Sequence, residues 1–474
     1  MNGERFDLAI LGGGPGGYPA AIRAAQLGLK VAVVEKYKLG GTCLHWGCIP
    51  TKVILESAEV LKHTQGGAEY GVRASDVSLD YAQVSKRREK VVAQHTGGIE
   101  WLFKKNGVTL IRGEGKITSP TTISVQPAEG GSSTQVTATD IIVATGSTPK
   151  GLPGLNIDGD RLINSDHAAT MAVLPRSVII LGAGAIGVEF ASGWNDMGVE
   201  ISLVEVLPRV LPLEDAEIGE EVAKLFNRRG IRVLTGTKAV LDSVRTFSDH
   251  VELEVEKADG SRERLSGERL LVATGRAPVT SGIGLESLGV RIERGFIQVD
   301  GQMRTGVPHL YAIGDVVGGL MLAHKATHEG FVAVETILGR NPHPLDYNRI
   351  PRCTYCRPQV ASIGLSEAEA TAQGHRVKVG HFPFSANSMA TILGEREGFA
   401  KIVADEDSME ILGVHLIGPR VTEMIQGPAL ARLLEATPEE LALNVYPHPT
   451  GSEALGEAAD DIVIGQALHF WRQK

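Results

Sequence analysis

Two cysteines lie close together near the start of the chain, in the segment GGTCLHWGCIPTK at residues 40–52. Four residues separate Cys43 from Cys48, and a loop of this length is short enough to close as a disulfide. The residues from Cys48 onward have the composition of a helix start, with Pro50 in the first turn. A helix N-terminus lowers the pKa of a thiol toward neutrality and so favours the thiolate. The spacing predicts a redox-active disulfide at the start of a helix.

Two other interpretations of the cysteine pair stay open at this point. One is a metal site, because His45 lies between the thiols, but zinc needs further Cys or His ligands and the next histidine is His63. The other is an inert pair of buried thiols. We favour the redox disulfide, because a close cysteine pair in a reducing compartment is more often catalytic or metal-binding than structural, and further metal ligands are missing at the required spacing.

A histidine and a glutamate near the other end of the chain are the residue types of a general base. The segment NVYPHPTGSEALGEA at 444–458 contains His448 and Glu453, and a turn after Pro449 would return the carboxylate to the imidazole. Thiol–disulfide exchange needs a thiolate, and an imidazole can take the thiol proton near neutral pH. A carboxylate fixes the imidazole tautomer and stabilises the imidazolium. A single histidine is more often a solvated or satisfied side chain, but its setting in His-Pro-Thr-Gly-Ser-Glu favours a His–Glu base for thiol exchange.

Two stretches of the chain, 6–36 and 177–206, repeat one pattern that predicts dinucleotide binding. Each begins with an apolar strand, passes through G-x-G-x-x-G into a helix of small residues, and ends in a second strand closed by an acid. The first glycine permits a tight turn, the second admits a pyrophosphate, and the third lets the helix pack on the strand. The residues are Gly12, Gly14, Gly17 and Glu35 in the first copy, and Gly182, Gly184, Gly187 and Glu205 in the second.

Each repeat is followed by a strand that ends in Ala-Thr-Gly, in IIVATGSTPK at 141–150 and in LLVATGRAPV at 270–279. Bare backbone at these glycines can approach a ligand. The order of the four segments predicts two nested dinucleotide domains in an α/β fold. The second domain occupies about 154–273 and is inserted into the first, which resumes near residue 274.

The acid of the second repeat also predicts which dinucleotide binds there. A carboxylate accepts hydrogen bonds from a ribose 2′-hydroxyl but repels a 2′-phosphate, which would require a nearby arginine. Glu205 is followed by Val206 and Leu207, and Arg209 comes only after Pro208. The second repeat is therefore expected to bind NAD(H) rather than NADP(H).

Composition excludes several classes of function. The chain has 474 residues and a formal net charge of −9, so we expect about three domains and no nucleic-acid partner. Apolar runs stay shorter than the roughly 18 residues that a membrane span needs. The first residues carry no basic and apolar signal-peptide pattern, and four cysteines are too few for a secreted disulfide scaffold. We expect a cytoplasmic protein.

The motifs together resemble the class I pyridine nucleotide–disulfide oxidoreductases, from residue 5 to about 460. The segments that carry the resemblance are GGTCLHWGCIPTK, YAIGDVVGGLMLAHKATHEG at 311–330, FPFSANS at 382–388 and PHPTGSE at 447–453. It implies two nested Rossmann-like domains for FAD and NAD and a C-terminal α+β dimerisation domain. The implied divisions are an FAD-binding domain at 1–153, an NAD-binding domain at 154–273, a central domain at 274–347 and an interface domain at 348–474.

The resemblance also assigns cofactor residues. Asp315 would lie on the ribityl chain of FAD, and Lys52 would lie beside the flavin and pair with Glu189 of the second repeat. The remaining residues implied for FAD are Gly12, Gly14, Gly17, Glu35, Gly115, Thr145, Gly146 and Ala323. The remaining residues implied for the NAD side are Gly182, Gly184, Ile186, Gly187, Glu205 and Gly275.

The activity that the resemblance implies is oxidation of protein-bound dihydrolipoamide to lipoamide, with reduction of NAD⁺ to NADH through FAD. Cys43 would exchange with the substrate, Cys48 would lie nearer the flavin, and the partner subunit's His448 would remove the proton. A homodimer would therefore share each active site. Partners would be the lipoyl domains of a 2-oxo acid dehydrogenase or glycine cleavage complex.

Three alternative functions agree less well with the sequence: two reductases of the same family and a docking protein without catalysis. Glutathione-type reductases read NADPH with basic residues after the second strand, which Glu205 disfavours. Mercuric reductases carry an extra cysteine pair at the C-terminus, and the sequence shows none. A flavoprotein that served only as a docking subunit of a large complex would not need the catalytic residue types at Cys43, Cys48, His448 and Glu453.

The sequence departs from the family pattern at His45, where asparagine is more usual, at Trp46, where a small residue is more usual, and at Thr51, where serine is. A bulky Trp46 is expected to narrow the approach to the thiols or to alter the dimer contact. A second pair, Cys353 and Cys356, has C-x-x-C spacing, and we interpret it as two structural thiols, with a regulatory disulfide as the alternative.

Overall fold

The first sheet combines strands from both ends of the first 312 residues. The computed structural model describes residues 5–471. The strands lie in the order β3-β2-β1-β6-β5-β4. The first four strands are parallel to one another, and β5 runs antiparallel to both of its neighbours, β6 and β4. β19 lies parallel to β6. The strands are β1 (Arg5–Leu11), β2 (Val31–Glu35), β3 (Thr109–Arg112), β4 (Glu114–Ser119), β5 (Thr122–Gln126), β6 (Thr134–Val143) and β19 (Leu310–Ala312).

Helices cover this sheet, and two of them contain the cysteines of the predicted disulfide, one cysteine each. All of β2 and most of β1 are buried, as predicted for parallel strands covered on both faces. The helices are α1 (Gly17–Gln26), α2 (Gly41–His45), α3 (Cys48–Gly66), α4 (Tyr81–Asn106) and α8 (Ala323–Ile337). Because α1 starts at the third glycine of the first repeat, its N-terminus faces the glycine turn.

The second repeat builds a separate parallel sheet with the order β11-β10-β9-β15-β8. Its strands are β8 (Leu162–Asn164), β9 (Ser177–Leu181), β10 (Glu200–Val204), β11 (Arg232–Leu234) and β15 (Arg269–Val272). Its helices are α5 (Ser165–Thr170), α6 (Ala185–Asp196) and α7 (Ala216–Arg228). An antiparallel sheet of β12 (Lys238–Thr246), β13 (Val251–Glu256) and β14 (Arg262–Gly267) accompanies it.

The two nucleotide-type units are nested, and a two-stranded ribbon marks where the chain passes between them. β7 (Ser147–Pro149) leaves the first unit and pairs antiparallel with β16 (Arg276–Pro278), which returns from the second. After β16 the chain forms the hairpin of β17 (Ile292–Glu293) and β18 (Phe296–Ile297) and then adds β19 to the first sheet. The nested arrangement is therefore confirmed, while the domain boundaries at single residues stay predictions.

The C-terminal part forms a five-stranded antiparallel sheet with the order β20-β21-β24-β23-β22. Its strands are β20 (Arg352–Thr354), β21 (Gln359–Gly364), β22 (Val377–Pro383), β23 (Phe399–Asp405) and β24 (Ile411–Gly418). Every residue of β23 and β24 is buried, because α14 packs against β22 and β23 and α7 contacts β24. Its helices are α9 (Glu367–Ala372), α10 (Ser388–Ile392), α11 (Val421–Met424), α12 (Gln426–Leu433), α13 (Pro438–Leu443) and α14 (Glu453–Val463).

The predicted fold class is confirmed: the chain is α/β, with two nested Rossmann-like units and a C-terminal α+β unit. Among residues 5–471, helices that combine the length and the apolar character needed to cross a bilayer do not occur.

Candidate active site

The predicted disulfide is present between Cys43 and Cys48, whose Cα atoms are 4.6 Å apart. Cys43 lies in α2, and Cys48 is the first residue of the 19-residue helix α3. Both cysteines are half-buried, so a thiol from solvent can reach the bond. If the bond opens, the positive end of α3 stabilises a thiolate on Cys48. The disulfide thus has the accessibility and the electrostatic setting that thiol exchange requires.

His45 and Trp46, the two unusual residues between the cysteines, pack this loop against the end of β2. The His45 Nε2 atom lies 2.9 Å from the Leu39 carbonyl oxygen, which can only accept, so Nε2 carries the proton. Burial lowers the pKa of His45 below its ordinary value and keeps the ring neutral. Trp46 stacks edge-on to Tyr37 with ring centroids 6.0 Å apart. Both side chains therefore contribute to the shape of the loop that carries the disulfide.

Lys52 and Glu189 meet beside the disulfide segment, although 137 positions separate them. Lys52 lies one turn along α3 from Cys48, and its ammonium is 2.8 and 2.7 Å from the two oxygens of Glu189, on α6. The backbone N–H of Tyr355 donates to the same carboxylate at 2.9 Å, and the Lys52 ammonium lies 4.5 Å from the Tyr355 ring centroid. Tyr355 could not be predicted from the sequence, because nothing in its local spacing relates it to residues on α3 or α6.

The acids that close the two repeats make the same pair of contacts. Glu35 accepts from the backbone N–H groups of Gly13 and Tyr37, both at 2.7 Å. Glu205 accepts from the equivalent groups of Ala183 at 2.7 Å and Leu207 at 2.9 Å. Each carboxylate is thereby held against its glycine turn, and its oxygens retain lone pairs for the hydroxyl groups of a ribose. The matching geometry supports a dinucleotide at each turn.

The glycines of the turns fit a dinucleotide. A Cβ on Gly17 would lie 1.9 Å from the Gly12 carbonyl oxygen, and a Cβ on Gly187 would lie 1.9 Å from that of Gly182. These glycines let each helix start pack on its strand. At Gly184, by contrast, a Cβ would meet no atom within 4 Å, so the turn leaves open space in front of α6. This space at a helix N-terminus suits the phosphates of a dinucleotide.

We expect Gly184→Ala to weaken NADH binding at least about tenfold, or ~1.4 kcal/mol, with little loss of thermal stability. The backbone angles of Gly184, φ −73° and ψ −178°, suit alanine, but the methyl group would occupy the space that the phosphates need. Gly187→Ala is the matched comparison, and its clash with Gly182 should lower the melting temperature. Calorimetric titration and thermal unfolding measure both. NADH binding to Gly184→Ala as tight as to the wild type would contradict this placement.

The other residues predicted on the FAD side lie around the first sheet. Gly115 is in β4, where a Cβ would lie 2.4 Å from Leu11 Cδ1. The Thr145 hydroxyl donates to the Val279 carbonyl oxygen at 2.6 Å, across the junction of the two units. Gly146 follows with φ +70°, a conformation that favours glycine.

Asp315 lies in a short turn, Gly314–Val317, before α8. Its carboxylate accepts from the Ser147 hydroxyl, which also accepts from Arg276 Nε at 2.7 Å. A buried ion pair that the sequence analysis did not predict supports this turn. Lys325 and Glu329 lie 3.1 Å apart on α8, with Glu329 accepting from Gly314 N–H at 2.7 Å. Asp315 is thus presented on a rigid turn.

Three further predicted residues occupy positions at element ends or at the edge of the core. Ala323 is the first residue of α8. Gly275 follows β15 with φ +119°, and Ile186 is half-buried against the core of the second unit. The roles of these three residues toward FAD and NAD stay predictions.

His448 and Glu453 form the predicted pair on the C-terminal domain. The ring Nδ1 atom lies 2.8 Å from Glu453 Oε1, and the Thr450 backbone N–H donates to Oε2 at 2.7 Å. Partial burial acts to raise the pKa of Glu453, but these hydrogen bonds outweigh it and hold the pKa below its ordinary value. The carboxylate is therefore ionised at neutral pH, and the His448 side chain, 70% exposed, keeps Nε2 free to face outward.

Within one chain, the predicted residues form two separate groups. The disulfide segment packs through α2 against α3 and α4, whereas Glu453 begins α14, which packs against α13, β22 and β23. The structure of the single chain does not bring His448 to Cys43. The surface that leads to His448 is apolar, since Val445 is 91% exposed. Other exposed apolar residues of this domain are Ile392, Leu430, Leu433, Leu434, Leu443, Val463, Ile464, Leu468 and Trp471. Surfaces of this kind mark interfaces.

Cys353 and Cys356 are free thiols. Burial raises the pKa of Cys353 to about 11 and that of Cys356 to about 12. The Cys356 thiol donates to the Pro358 carbonyl oxygen at 3.1 Å. Both groups stay protonated near neutral pH and are poor nucleophiles. These properties agree with the interpretation of the pair as structural.

Comparisons with known proteins agree with this geometry. A family described as pyridine nucleotide-disulphide oxidoreductase matches residues 6–330, and its dimerisation domain matches residues 350–459. A dihydrolipoyl dehydrogenase of Bacillus subtilis (strain 168) is 48% identical over 472 residues, which cover 98% of this chain and 99% of the relative. One from Zymomonas mobilis is 46% identical over 470 residues, 98% of this chain and 100% of the relative. The crystal structure of LpdA from Mycobacterium tuberculosis superposes with a TM-score of 0.88 at 28% identity, covering 97% of this chain and 99% of that one.

Proposed function

The chain belongs to the pyridine nucleotide-disulphide oxidoreductase family, and on that premise we propose that it oxidises dihydrolipoamide to lipoamide and reduces NAD⁺ to NADH. The similar proteins named dihydrolipoyl dehydrogenase support this reaction within the family. The observation that carries the proposal is an accessible disulfide at the N-terminus of α3, directly after the first glycine turn. The chain also retains the His448–Glu453 pair that thiol exchange requires.

FAD belongs to the first glycine turn and NAD to the second. The FAD residues we propose are those of the first repeat with Lys52, Gly115, Thr145, Gly146, Asp315 and Ala323. When bound, FAD takes up two electrons from the enzyme dithiol and passes them as hydride to NAD⁺. We propose domain divisions at 1–153, 154–273, 274–347 and 348–474. The first two boundaries lie near β7 and β16, where the chain passes between the nested units, and the third lies near β20, the first strand of the C-terminal sheet.

The chemistry of the disulfide uses atoms of two subunits. The partner subunit's His448 takes the proton of a substrate thiol, and the thiolate attacks Cys43 Sγ. A bond forms between the substrate sulfur and Cys43 as the Cys43–Cys48 bond breaks, so Cys48 leaves as a thiolate at the start of α3. The second substrate thiol then attacks the substrate sulfur that is bonded to Cys43, so the disulfide of lipoamide forms as the bond to Cys43 breaks. Its proton passes to the departing Cys43 sulfur, which leaves as a thiol, and the proton held by the partner subunit's His448 is released to solvent. The substrate loses two electrons, and the enzyme disulfide gains them.

Cys48 and Lys52 share one helical face at the start of α3. The ammonium of Lys52 and the helix N-terminus both favour negative charge on the Cys48 sulfur. Glu189 fixes Lys52 through two hydrogen bonds, so the cation is held and does not swing to solvent. We propose that this pair holds Lys52 beside the flavin.

The dimerisation domain supports a homodimer, and the exposed apolar residues of the C-terminal domain supply its interface. His448 lies on this surface and away from the disulfide of its own chain, which supports an active site completed by the partner subunit. We propose the lipoyl domains of a 2-oxo acid dehydrogenase or glycine cleavage complex as the substrates. A reducing cytoplasm suits an enzyme whose disulfide must be opened and reclosed in each turnover.

The catalytic efficiency with NAD⁺ should exceed that with NADP⁺ by at least about 100-fold, or ~3 kcal/mol. Glu205 would meet a 2′-phosphate with like charge, and it is held in place by Ala183 and Leu207. Val206 and Leu207, which follow it, are exposed and offer no cation. Steady-state kinetics with both coenzymes measure the preference. Equal efficiency with the two coenzymes would overturn the assignment made from Glu205.

The function is tested by mixing the purified protein with dihydrolipoamide in the absence of oxygen. We expect titratable enzyme thiols to increase by two per chain, and one lipoamide per chain to appear. Addition of NAD⁺ should then form one NADH per chain and restore the disulfide. If dihydrolipoamide leaves the thiol count unchanged, or if the reduced protein forms no NADH, the proposed reaction is wrong.

A further inference from the structure

Three lysine and arginine side chains of the C-terminal domain each form an ion pair with an acid of the second nucleotide unit. The pairs are Lys401 with Asp215 at 3.0 Å, Arg352 with Glu214 at 3.2 Å, and Arg357 with Asp196 at 2.6 Å. These pairs fix how the two surfaces fit together, because sliding one surface along the other would leave partly or fully buried charges unpaired. The unit is therefore fixed relative to the C-terminal domain.

Lys401, on β23, is the most deeply buried of these cations, with 1% of its side chain exposed. Its ammonium bonds to Asp215 at 3.0 Å, to Glu217 at 2.6 Å and to Glu367 at 2.7 Å. Burial alone would lower the pKa of Lys401, but the three carboxylates raise it above the ordinary value, so the group stays charged. A buried ammonium with three acceptors holds those acceptors in one arrangement.

Asp215 connects this cluster to the start of α7. Its carboxylate is 2% exposed and accepts from Glu217 N–H at 3.2 Å, which caps the helix, and from Glu367 N–H at 3.1 Å. Gly219, in the first turns of α7, packs so closely on the preceding segment that a Cβ there would lie 2.3 Å from the Val210 carbonyl oxygen. Movement of Asp215 would therefore be transmitted to the segment 206–214.

The segment 206–214 in turn supports the second glycine turn. Leu211 N–H donates to the carbonyl oxygen of Ala183 at 2.8 Å, and Ala183 lies between the first two glycines of the repeat. Leu211 has φ +48°, a conformation that leucine adopts only where its surroundings impose it. At the other end of the segment, Leu207 N–H donates to Glu205. A strained, packed segment thus links Lys401 to the turn expected to hold NAD.

We propose that Lys401 is a positioning residue for NAD(H) binding, acting through Asp215 and the segment 206–214 on the turn at Gly182–Gly187. The inference rests on the proposed function only in assigning NAD(H) to the second turn. It predicts that loss of the ammonium charge weakens NADH binding but leaves reduction of the disulfide unchanged. Within residues 5–471, the hydrogen bonds of Lys401 go to Asp215, Glu217 and Glu367, and none of them reaches helix α3, which carries Cys48.

The test uses Lys401→Met in the full-length FAD-bound enzyme, because methionine keeps an unbranched side chain of similar length without the charge. We expect the dissociation constant for NADH, measured by calorimetric titration, to rise about 3- to 30-fold. Hydrogen exchange of backbone amides in 206–214 should accelerate. The rate at which dihydrolipoamide reduces the disulfide should stay within about twofold. Lys378→Met, an exposed lysine on the neighbouring strand β22, is the matched control and should change none of these quantities.

A second variant keeps the test decisive if Lys401→Met does not fold. Glu217→Gln with Glu367→Gln removes two carboxylates that are 46% and 44% exposed and leaves Lys401 paired with Asp215. We expect a smaller rise in the NADH dissociation constant, of about threefold. Unchanged NADH affinity in the folded variants, or equal damage to disulfide reduction, would overturn the positioning role. Failure of the wild-type protein to bind NADH would instead overturn the proposed function along with it.

Discussion

Replacing Cys43 by serine is expected to abolish the oxidation of dihydrolipoamide while FAD stays bound. The serine hydroxyl cannot form the mixed disulfide with substrate, so the rate should fall by at least about 10³-fold, as the loss of a covalent nucleophile does. FAD retention is expected because Cys43 lies in the short helix α2, whereas the residues proposed to hold FAD lie outside it, on α1, β2, α3, β4 and α8 and in the turns after β1, β6 and β19. Turnover and bound flavin are measured on the same purified sample.

Cys353→Ser is the matched control for that experiment. It removes a thiol that is free, half-buried and protonated near neutral pH, since burial raises its pKa to about 11. Turnover by this variant should stay near the wild-type value. Substantial activity in Cys43→Ser would show that another sulfur exchanges with the substrate, and loss of FAD from it would show that Cys43 has a structural role toward the cofactor.

Replacing His448 by glutamine should lower turnover by roughly 10²- to 10⁴-fold, the range typical of a lost general base. Glutamine keeps a polar side chain that can face Glu453 but cannot take the proton of a substrate thiol. Because Glu453 begins α14 and is held by Thr450, the helix should remain in place and the melting temperature should change little. Steady-state rates across pH, with thermal unfolding on the same samples, measure both effects.

His469→Gln offers a close control, because His469, like the proposed base, pairs through Nδ1 with a glutamate of α14. Its Nδ1 atom lies 2.6 Å from Glu457 Oε1, and its side chain is 66% exposed. We expect this variant to keep wild-type turnover. If both histidine variants lose activity equally, or neither does, then the segment 447–453 does not supply the base.

The pH dependence of the His448–Glu453 pair follows from the lowered pKa of Glu453. A carboxyl group whose pKa is lower in the folded state stabilises the fold above its ordinary pKa, and this contribution disappears as the pH falls through the lowered value. The hydrogen bond to His448 should therefore persist through the mildly acidic range. Thermal unfolding across this pH range measures the contribution of the pair, and melting temperatures should stay level there.

The chemical residues could be predicted from the sequence because their relationships are local. Cys43 and Cys48, the glycines of each turn, and His448 with Glu453 each lie within a few positions of one another, where loop length and helix start limit the geometry. Glu205 could be proposed as a coenzyme-selecting acid for the same reason, since a strand, a helix and a strand place it at a fixed point beside its turn. The nested sheets followed from the repeated pattern.

The tertiary structure alone decided how these local units are held together. Tyr355 with Glu189, Lys325 beneath the turn of Asp315, and Lys401 among three carboxylates join residues that single-sequence periodicity cannot relate. The packing of Trp46 on Tyr37, and the placement of His448 on a surface away from its own disulfide, likewise depend on how whole elements pack. Spacing along the chain determines what a turn or helix end can bind, whereas burial and ion pairing between distant segments determine where each one is placed.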